Sequence, residues 1–125
     1  MIVACIPCYN EEQNIAKVII ETKKFVDQVI VCDDGSNDFT SVIAENLDVI
    51  VIKHKKNLGK GIALKSLFNK SKSLKANIII TLDGDGQHNP NQIPQLIDPI
   101  LKNEFDVVIG SRFIGQKSDI PRYRK

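Results

Sequence analysis

The chain has 125 residues, 42% hydrophobic and 26% charged, with a net charge of +2. That length suits one domain with a real core but not two, and the composition is that of an ordinary globular protein. No apolar run approaches the ~18 residues a membrane span needs, and the N-terminus lacks the basic start of a signal peptide, so the expected compartment is the cytoplasm.

Apolar runs and helical periodicities alternate along the chain. Ile2–Ile6 reads as a first strand. Asn10 then offers a helix N-cap with Gln13 as its capping-box partner, and Ile15, Val18, Ile19 and Phe25 recur at helical spacing to about Val26. A second strand, Val29–Cys32, ends at Asp33-Asp34-Gly35-Ser36, and a helix from Asp38 to Asn46 leads to a third strand, Val49–Ile52. Asn57-Leu58-Gly59-Lys60-Gly61 opens a third helix, with Ile62, Leu64, Leu67 and Phe68 as its expected buried stripe. Ile78–Leu82 is a fourth strand. Asn89-Pro90 caps a fourth helix in the N-cap plus N1-proline arrangement, which Pro99 shortens or kinks near Asp98. The last strand is Asp106–Ile109, followed by Gly110-Ser111-Arg112. Alternation of this kind, with continuous apolar strands, predicts an α/β fold with a mostly parallel sheet and helices on both faces. Ligands bind such sheets at the carboxyl ends of the strands, near the topological switch point.

The unusual polar clusters all fall at strand C-termini. The fourth strand delivers Asp83 and Asp85, whose i, i+2 spacing would aim both carboxylates at one point. Two anionic groups so close call for a cation between them, and Gly84 would leave room for a ligand to approach the backbone. The pattern reads as a divalent-metal site holding a diphosphate. Gln87 could add a neutral oxygen, or simply bond at the entry to the next helix. Asp33 and Asp34, adjacent in extended chain, point opposite ways: one would accept from a nucleotide base or ribose, the other would cap the turn or the helix that follows. Arg112 would place a bidentate donor near the phosphates. Lys60 reads as a solvated helix-start residue.

Five motifs in order, Pro7-Cys8-Tyr9-Asn10-Glu11, Asp33-Asp34-Gly35-Ser36-Asn37-Asp38, Asn57-Leu58-Gly59-Lys60-Gly61, Asp83-Gly84-Asp85-Gly86-Gln87 and Gly110-Ser111-Arg112, resemble the family 2 glycosyltransferases. The likeness is greatest to dolichol-phosphate mannosyltransferases and related polyprenyl-phosphate hexose transferases. It implies a Rossmann-like GT-A nucleotide-sugar-binding domain over residues 1–125, without the acceptor-binding region such enzymes carry further on. It also implies roles. Pro7, Tyr9, Glu11 and Val31 would contribute to the nucleotide site, with Asp33 or Asp34 reading the base. Asp83, Gly84 and Asp85 would meet the donor, and Asp83, Asp85 and Gln87 would hold Mg²⁺ or Mn²⁺ on its diphosphate. Asp85 and Arg112 would be the catalytic pair. The donor would be of the GDP-mannose or UDP-glucose type and the acceptor a polyprenyl phosphate or, alternatively, a saccharide. A donor-binding piece without transfer activity is a further alternative. No nucleic-acid partner is expected.

Charge is unevenly spread. From Arg112 to Lys125 five bases (Arg112, Lys117, Arg122, Arg124, Lys125) face one acid, Asp119, a net +4 that leaves −2 on residues 1–111. Such a basic end suits peripheral contact with a membrane surface or a ligand's phosphates, although a solvated tail would look the same. Cys5-Ile6-Pro7-Cys8 resembles a redox pair in spacing, but Cys5 falls within a strand and the helix cap comes after Cys8, unlike a thioredoxin-type site. Zinc ligation lacks a second spaced pair. A nucleotidyltransferase would show a glycine- and arginine-rich loop after the first strand, where this chain has Tyr9-Asn10-Glu11-Glu12. Gly59-Lys60-Gly61 lacks the spacing of a P-loop.

Overall fold

In the computed structural model, residues 1–86, 89–95 and 97–98 are described in full, together with the backbone of strands 107–109 and 122–123. The strands are β1 (Ile2–Cys8), β2 (Gln28–Asp33), β3 (Ile50–Lys53), β4 (Ile78–Thr81), β5 (Val107–Ile109) and β6 (Arg122–Tyr123). The helices include α1 (Ile15–Thr22), α2 (Thr40–Glu45) and α3 (Lys60–Ser73), with a 3-10 turn at Pro90–Gln92, and residues 93–95 and 97–98 are helical as well, where the sequence predicts a fourth helix. One sheet runs β3-β2-β1-β4-β5-β6, parallel throughout except for β6, which pairs antiparallel with β5.

β1 is the axis of the fold. It pairs with β2 on one side (Cys5 opposite Ile30) and with β4 on the other (Cys5 opposite Thr81), so the topological switch lies between β1 and β4. Alternate residues of the strands feed two cores, as period-2 geometry requires. Ala4, Ile6, Val29, Val31, Ile78 and Ile80 pack with Ile15, Val18 and Ile19 of α1 and Ala44 of α2. On the other face Val3, Cys5, Ile30, Cys32 and Ile79 pack with Ala63 and Leu67 of α3. The expected architecture, a mostly parallel sheet covered on both faces, is therefore what forms.

Several local expectations are corrected. α1 starts at Ile15, not at Asn10. Asn10 has φ +52, a left-handed conformation that no helix start tolerates, and its groups turn to the neighbouring loop: its N–H donates to Ser36 Oγ at 2.8 Å and its Oδ1 accepts from Asn37 N at 2.8 Å. α1 ends at Thr22 rather than near Val26. α2 begins at Thr40, with Asp38 ahead of it accepting the Thr40 N–H. Along α3 the buried residues are Ala63, Leu67 and Ser71; Leu64 and Phe68 pack at the margin, but Ile62 is 47% exposed. Asn89 does cap its turn, accepting from Asn91 N at 3.0 Å. β6 has no counterpart in the sequence reading, and the position of Pro99 lies outside the described residues.

Cys5 and Cys8 settle the redox question by topology. Cys5 faces the α3 side of the sheet and Cys8 the α1 side, so the two thiols cannot meet. Burial pushes the Cys5 thiol up to about 11 despite a bond to Ser71. Burial, with Asp34 and Asp33 nearby, pushes Cys32 up to about 12. Burial and the Asp33 charge also raise Cys8. A thiol so far from ionising is a poor nucleophile. All three should react with a disulfide reagent only as the protein unfolds, and a fast-reacting thiol in the native state would contradict this placement.

Candidate active site

The site grows from the carboxyl ends of β1, β2 and β4 and from the loop between β3 and α3. Two adjoining clefts open there. One, of about 230 Å³, is lined by Pro7, Cys8, Tyr9, Asp34, Asn57, Lys60, Ala63 and Asp83. The other, of about 270 Å³, shares Pro7, Cys8, Tyr9, Lys60 and Asp83 and adds Glu11, Gly84 and Asp85. They straddle the β1/β4 switch point, where an open α/β sheet leaves a crevice between oppositely directed crossovers.

Beside the clefts the loops that follow β1 and β2 bond to each other. Besides the Asn10 bonds, Glu11 N donates to Thr40 Oγ1 at 2.9 Å, Glu12 N donates to Asp38 Oδ2 at 3.3 Å, and Phe39 N donates to Glu12 Oε2 at 3.0 Å. Burial would raise the Asp38 carboxyl, but the donors from Thr40 and Glu12 outweigh it and hold it below its ordinary value. The segments after β1 and β2 are thus one latched unit.

Asp33 and Asp34 divide their work as their opposite directions require. Asp33 Oδ1 accepts the Ser36 N–H at 3.0 Å and closes the turn. Asp34 lines the cleft and grips the loop before α3: Oδ1 accepts from Leu58 N at 2.9 Å, Oδ2 accepts from Gly59 N at 2.9 Å, and Oδ1 lies 2.8 Å from His54 Nδ1. His54 Nε2 is in turn 3.0 Å from Ser66 Oγ on α3. Burial raises the Asp34 carboxyl, but the bonds from Leu58, His54 and Gly59 win, and its pKa falls below the ordinary 3.8. A carboxylate held lower in the folded than in the unfolded state adds stability at every pH above the unfolded value, and that stability is lost as pH falls through the folded one. Asp34→Asn should therefore cost about 2 kcal/mol near neutrality and flatten the acid limb of the stability curve. An unchanged limb in acid titration of the variant would show that the clamp contributes nothing.

Asp83 and Asp85 lie beyond β4, which ends at Thr81, so strand alternation does not set their directions. They nevertheless reach the same cleft, with Glu11 as a third carboxylate on its wall. Gly84 lines the second cleft and is at the same time a packing position. It is buried, and a Cβ there would stand 2.9 Å from Cys8 Cβ and 3.3 Å from Ile15 Cδ1. Lys60 is the exposed helix-start residue expected, and in addition its Nζ meets Asp83 Oδ1 at 2.9 Å across the mouth of both clefts. Val31 has no exposed surface and belongs to the core. Gln87, Ser111 and Arg112 lie outside the described residues. The sequence reading missed His54 and gave Asn57 no separate role. The only signal for either was that the β3–α3 loop ends at the same sheet edge.

Among the described residues no group of three or more His, Cys, Asp or Glu could hold a metal by itself. Two hard carboxylates on a shared wall instead fit Mg²⁺ or Mn²⁺ arriving with phosphates and waters, the usual manner for small hard cations. A cationic partner already sits on Asp83 in the Lys60 ammonium, which shows that this carboxylate is placed to receive positive charge.

The chain belongs to the glycosyl transferase family 2, whose model matches residues 3–125. It is 36% identical to the UDP-N-acetylglucosamine–dolichyl-phosphate N-acetylglucosaminyltransferase of Methanococcus voltae, over 94% of this chain and 54% of that protein. It is 34% identical to the dolichol-phosphate mannosyltransferase of Pyrococcus furiosus, over 96% of this chain and 36% of that one. Among solved structures, glucosyl-3-phosphoglycerate synthase of Mycobacterium tuberculosis, in complex with Mn²⁺, UDP-glucose and phosphoglyceric acid, matches with a TM-score of 0.68 and 27% identity over 83% of this chain and 40% of that chain. The sheet and its helices are thus those of a GT-A domain. The chain spans about half the length of the curated relatives it matches first, 46, 54 and 56% of them.

Proposed function

We propose that this chain is the donor-binding part of a transferase that moves a hexose from a nucleoside-diphosphate sugar to a polyprenyl phosphate. The carrying observation is that Glu11, Asp83 and Asp85 share one cleft wall with Lys60 reaching over them, contiguous with a second cleft lined by Tyr9 and Asp34. Anionic oxygens suit a metal-bound diphosphate, Lys60 supplies a mobile cation for the same phosphates, and the second cleft suits a nucleoside.

The proposed roles follow from what each group has left to offer. Asp34 Oδ1 already accepts from both Leu58 and His54, whereas among the described residues Oδ2 accepts only from Gly59, so Oδ2 retains a lone pair for a base N–H or a ribose hydroxyl. Tyr9, 42% exposed on the rim, offers its ring as a wall for the base. Asp83 and Asp85 would hold Mg²⁺ or Mn²⁺, which when bound neutralises the charge that develops on the departing diphosphate. The acceptor phosphate oxygen attacks the anomeric carbon, the bond to the nucleotide breaks, and the nucleoside diphosphate leaves with the bonding electron pair. Gln87 and Arg112 remain proposed members of the metal and phosphate shells. The basic run at 112–125 would add contact with an anionic membrane at its cytoplasmic face.

The reading is supported by relatives whose names specify dolichyl or dolichol phosphate, and by a structural neighbour solved with Mn²⁺ and UDP-glucose. The test is a thermal-shift panel of GDP-mannose, UDP-glucose and UDP-N-acetylglucosamine with Mn²⁺ or Mg²⁺, followed by product detection with polyprenyl phosphate and with a saccharide. Metal-dependent stabilisation by one nucleotide class is expected. No shift with any donor would sink the donor reading; binding without product would identify a donor-binding piece.

A further inference from the structure

The stretch from Val49 to Leu82 contains eight lysines and no acidic residue, so it carries +8, leaving −6 on the other residues. In the fold this stretch runs from the edge strand β3 through the loop 54–59 into helix α3, which covers one face of the sheet, and returns to β4 on the far side of β1 and β2. Carboxylates among the described residues reach only two of the eight lysines, Lys53 through Glu45 and Lys60 through Asp83. Lys55, Lys56, Lys65, Lys70 and Lys72 are all exposed. Ala63, Leu67 and Ser71 face the sheet, which turns the stripe Ile62, Lys65, Asn69 and Lys72 outward, at helical spacing along the opposite side. Two aliphatic side chains stand exposed at the cleft end of this surface, Leu58 (40%) and Ile62 (47%).

From this geometry we propose that the outer face of α3 and the loop before it form a docking surface for an anionic lipid bilayer. Its charge is single-signed and mostly unpaired, as attraction to a negatively charged leaflet requires. Leu58 and Ile62 provide apolar insertion at the edge of the lysine field, in the manner of an interfacial helix. A nucleic-acid surface of this size would use arginines for groove contacts and exposed aromatics for stacking. The stretch has no arginine, and its single aromatic, Phe68, packs against the core. Asn57 and Lys60 belong both to this surface and to the cleft wall, so a chain docked through α3 holds the mouth of its cleft at the bilayer. The proposal is independent of which acceptor the protein uses.

Co-sedimentation with phosphatidylcholine vesicles, with or without about 30% phosphatidylglycerol, tests it at about 0.1 M salt, where the Debye length is still ~10 Å. The 125-residue chain should bind the anionic vesicles, ignore the neutral ones and dissociate at about 0.5 M salt. K65E/K70E/K72E should weaken binding roughly a hundredfold, about fivefold for each lysine, while K17E/K24E on the α1 face should leave it intact. Donor-induced thermal shift of the triple variant should match the parent and so certify its fold. Equal vesicle binding by the triple variant, binding to neutral vesicles as well, or preferential capture of an RNA oligonucleotide by the same lysines would each overturn the proposal. Vesicle binding without any donor shift would overturn the donor reading and leave this one standing.

Discussion

Asp83→Asn and Asp85→Asn will each lower Mn²⁺-dependent nucleotide binding by about a hundredfold or more, beyond what loss of even a supporting group costs a metal site. Each change keeps the side chain's shape and removes the charge on which the cation depends. The Asp83–Lys60 pair is partly exposed, the lysine side chain 63% and the aspartate 23%, and such a pair by itself contributes about 1 kcal/mol or less. The two variants should part company without metal. Asp83→Asn releases Lys60, so residual metal-free nucleotide binding should persist or rise, whereas Asp85→Asn leaves the lysine engaged. Titration calorimetry with and without Mn²⁺ reads both effects. Unchanged affinity in either variant with the metal present would remove that carboxylate from the metal assignment.

Gly35→Ala is expected to cost about 3 kcal/mol, lowering Tm on the order of 10 °C, and to abolish donor binding at the temperature where the parent binds. Gly35 has φ +79, and a Cβ there would sit 2.4 Å from the Lys56 carbonyl carbon and 2.5 Å from Asn57 N. Both are backbone atoms, so no side-chain rotation relieves the collision, and the loop that Asp34 holds must move. Gly59 separates strain from collision. Its φ is +100, but an added Cβ meets nothing within 4 Å, so Gly59→Ala should show only the backbone cost, about 1–2 kcal/mol. Equal losses in calorimetric unfolding of the two variants would mean that the tight approach of Gly35 to the 56–57 backbone is not what makes glycine necessary there.

The contrast between these glycines and the rest of the chain shows what the sequence makes legible. β1, β2 and β4 are buried on both faces and so read as unbroken apolar runs, which is why their order and the parallel sheet were recoverable. The edge carboxylates were visible for a related reason, since charged residues directly after such runs have few bland explanations. Asn10 misled because asparagine serves both as an N-cap and as a residue that tolerates positive φ, and only the partner loop decides between them. The partners of Gly84 and Lys60, Cys8 with Ile15 and Asp83 respectively, went unread because they are distant in the chain. His54 gave no periodic signal at all, since its position follows from Asp34 and Ser66 on separate elements. β6 pairs through two residues at a sheet edge, too short to leave a pattern.

β1 needs β2 on one edge and β4 on the other, and β4 begins at Ile78. A ribosome must therefore release most of this chain before its first strand has both neighbours. Until then the nascent product exposes an apolar edge and has no crevice at all, because the same β1–β4 junction that completes the sheet also creates the cleft. Closure of the sheet and creation of the cleft are thus one event seen from two sides, so a lesion at the β1–β4 junction removes the site and the fold together.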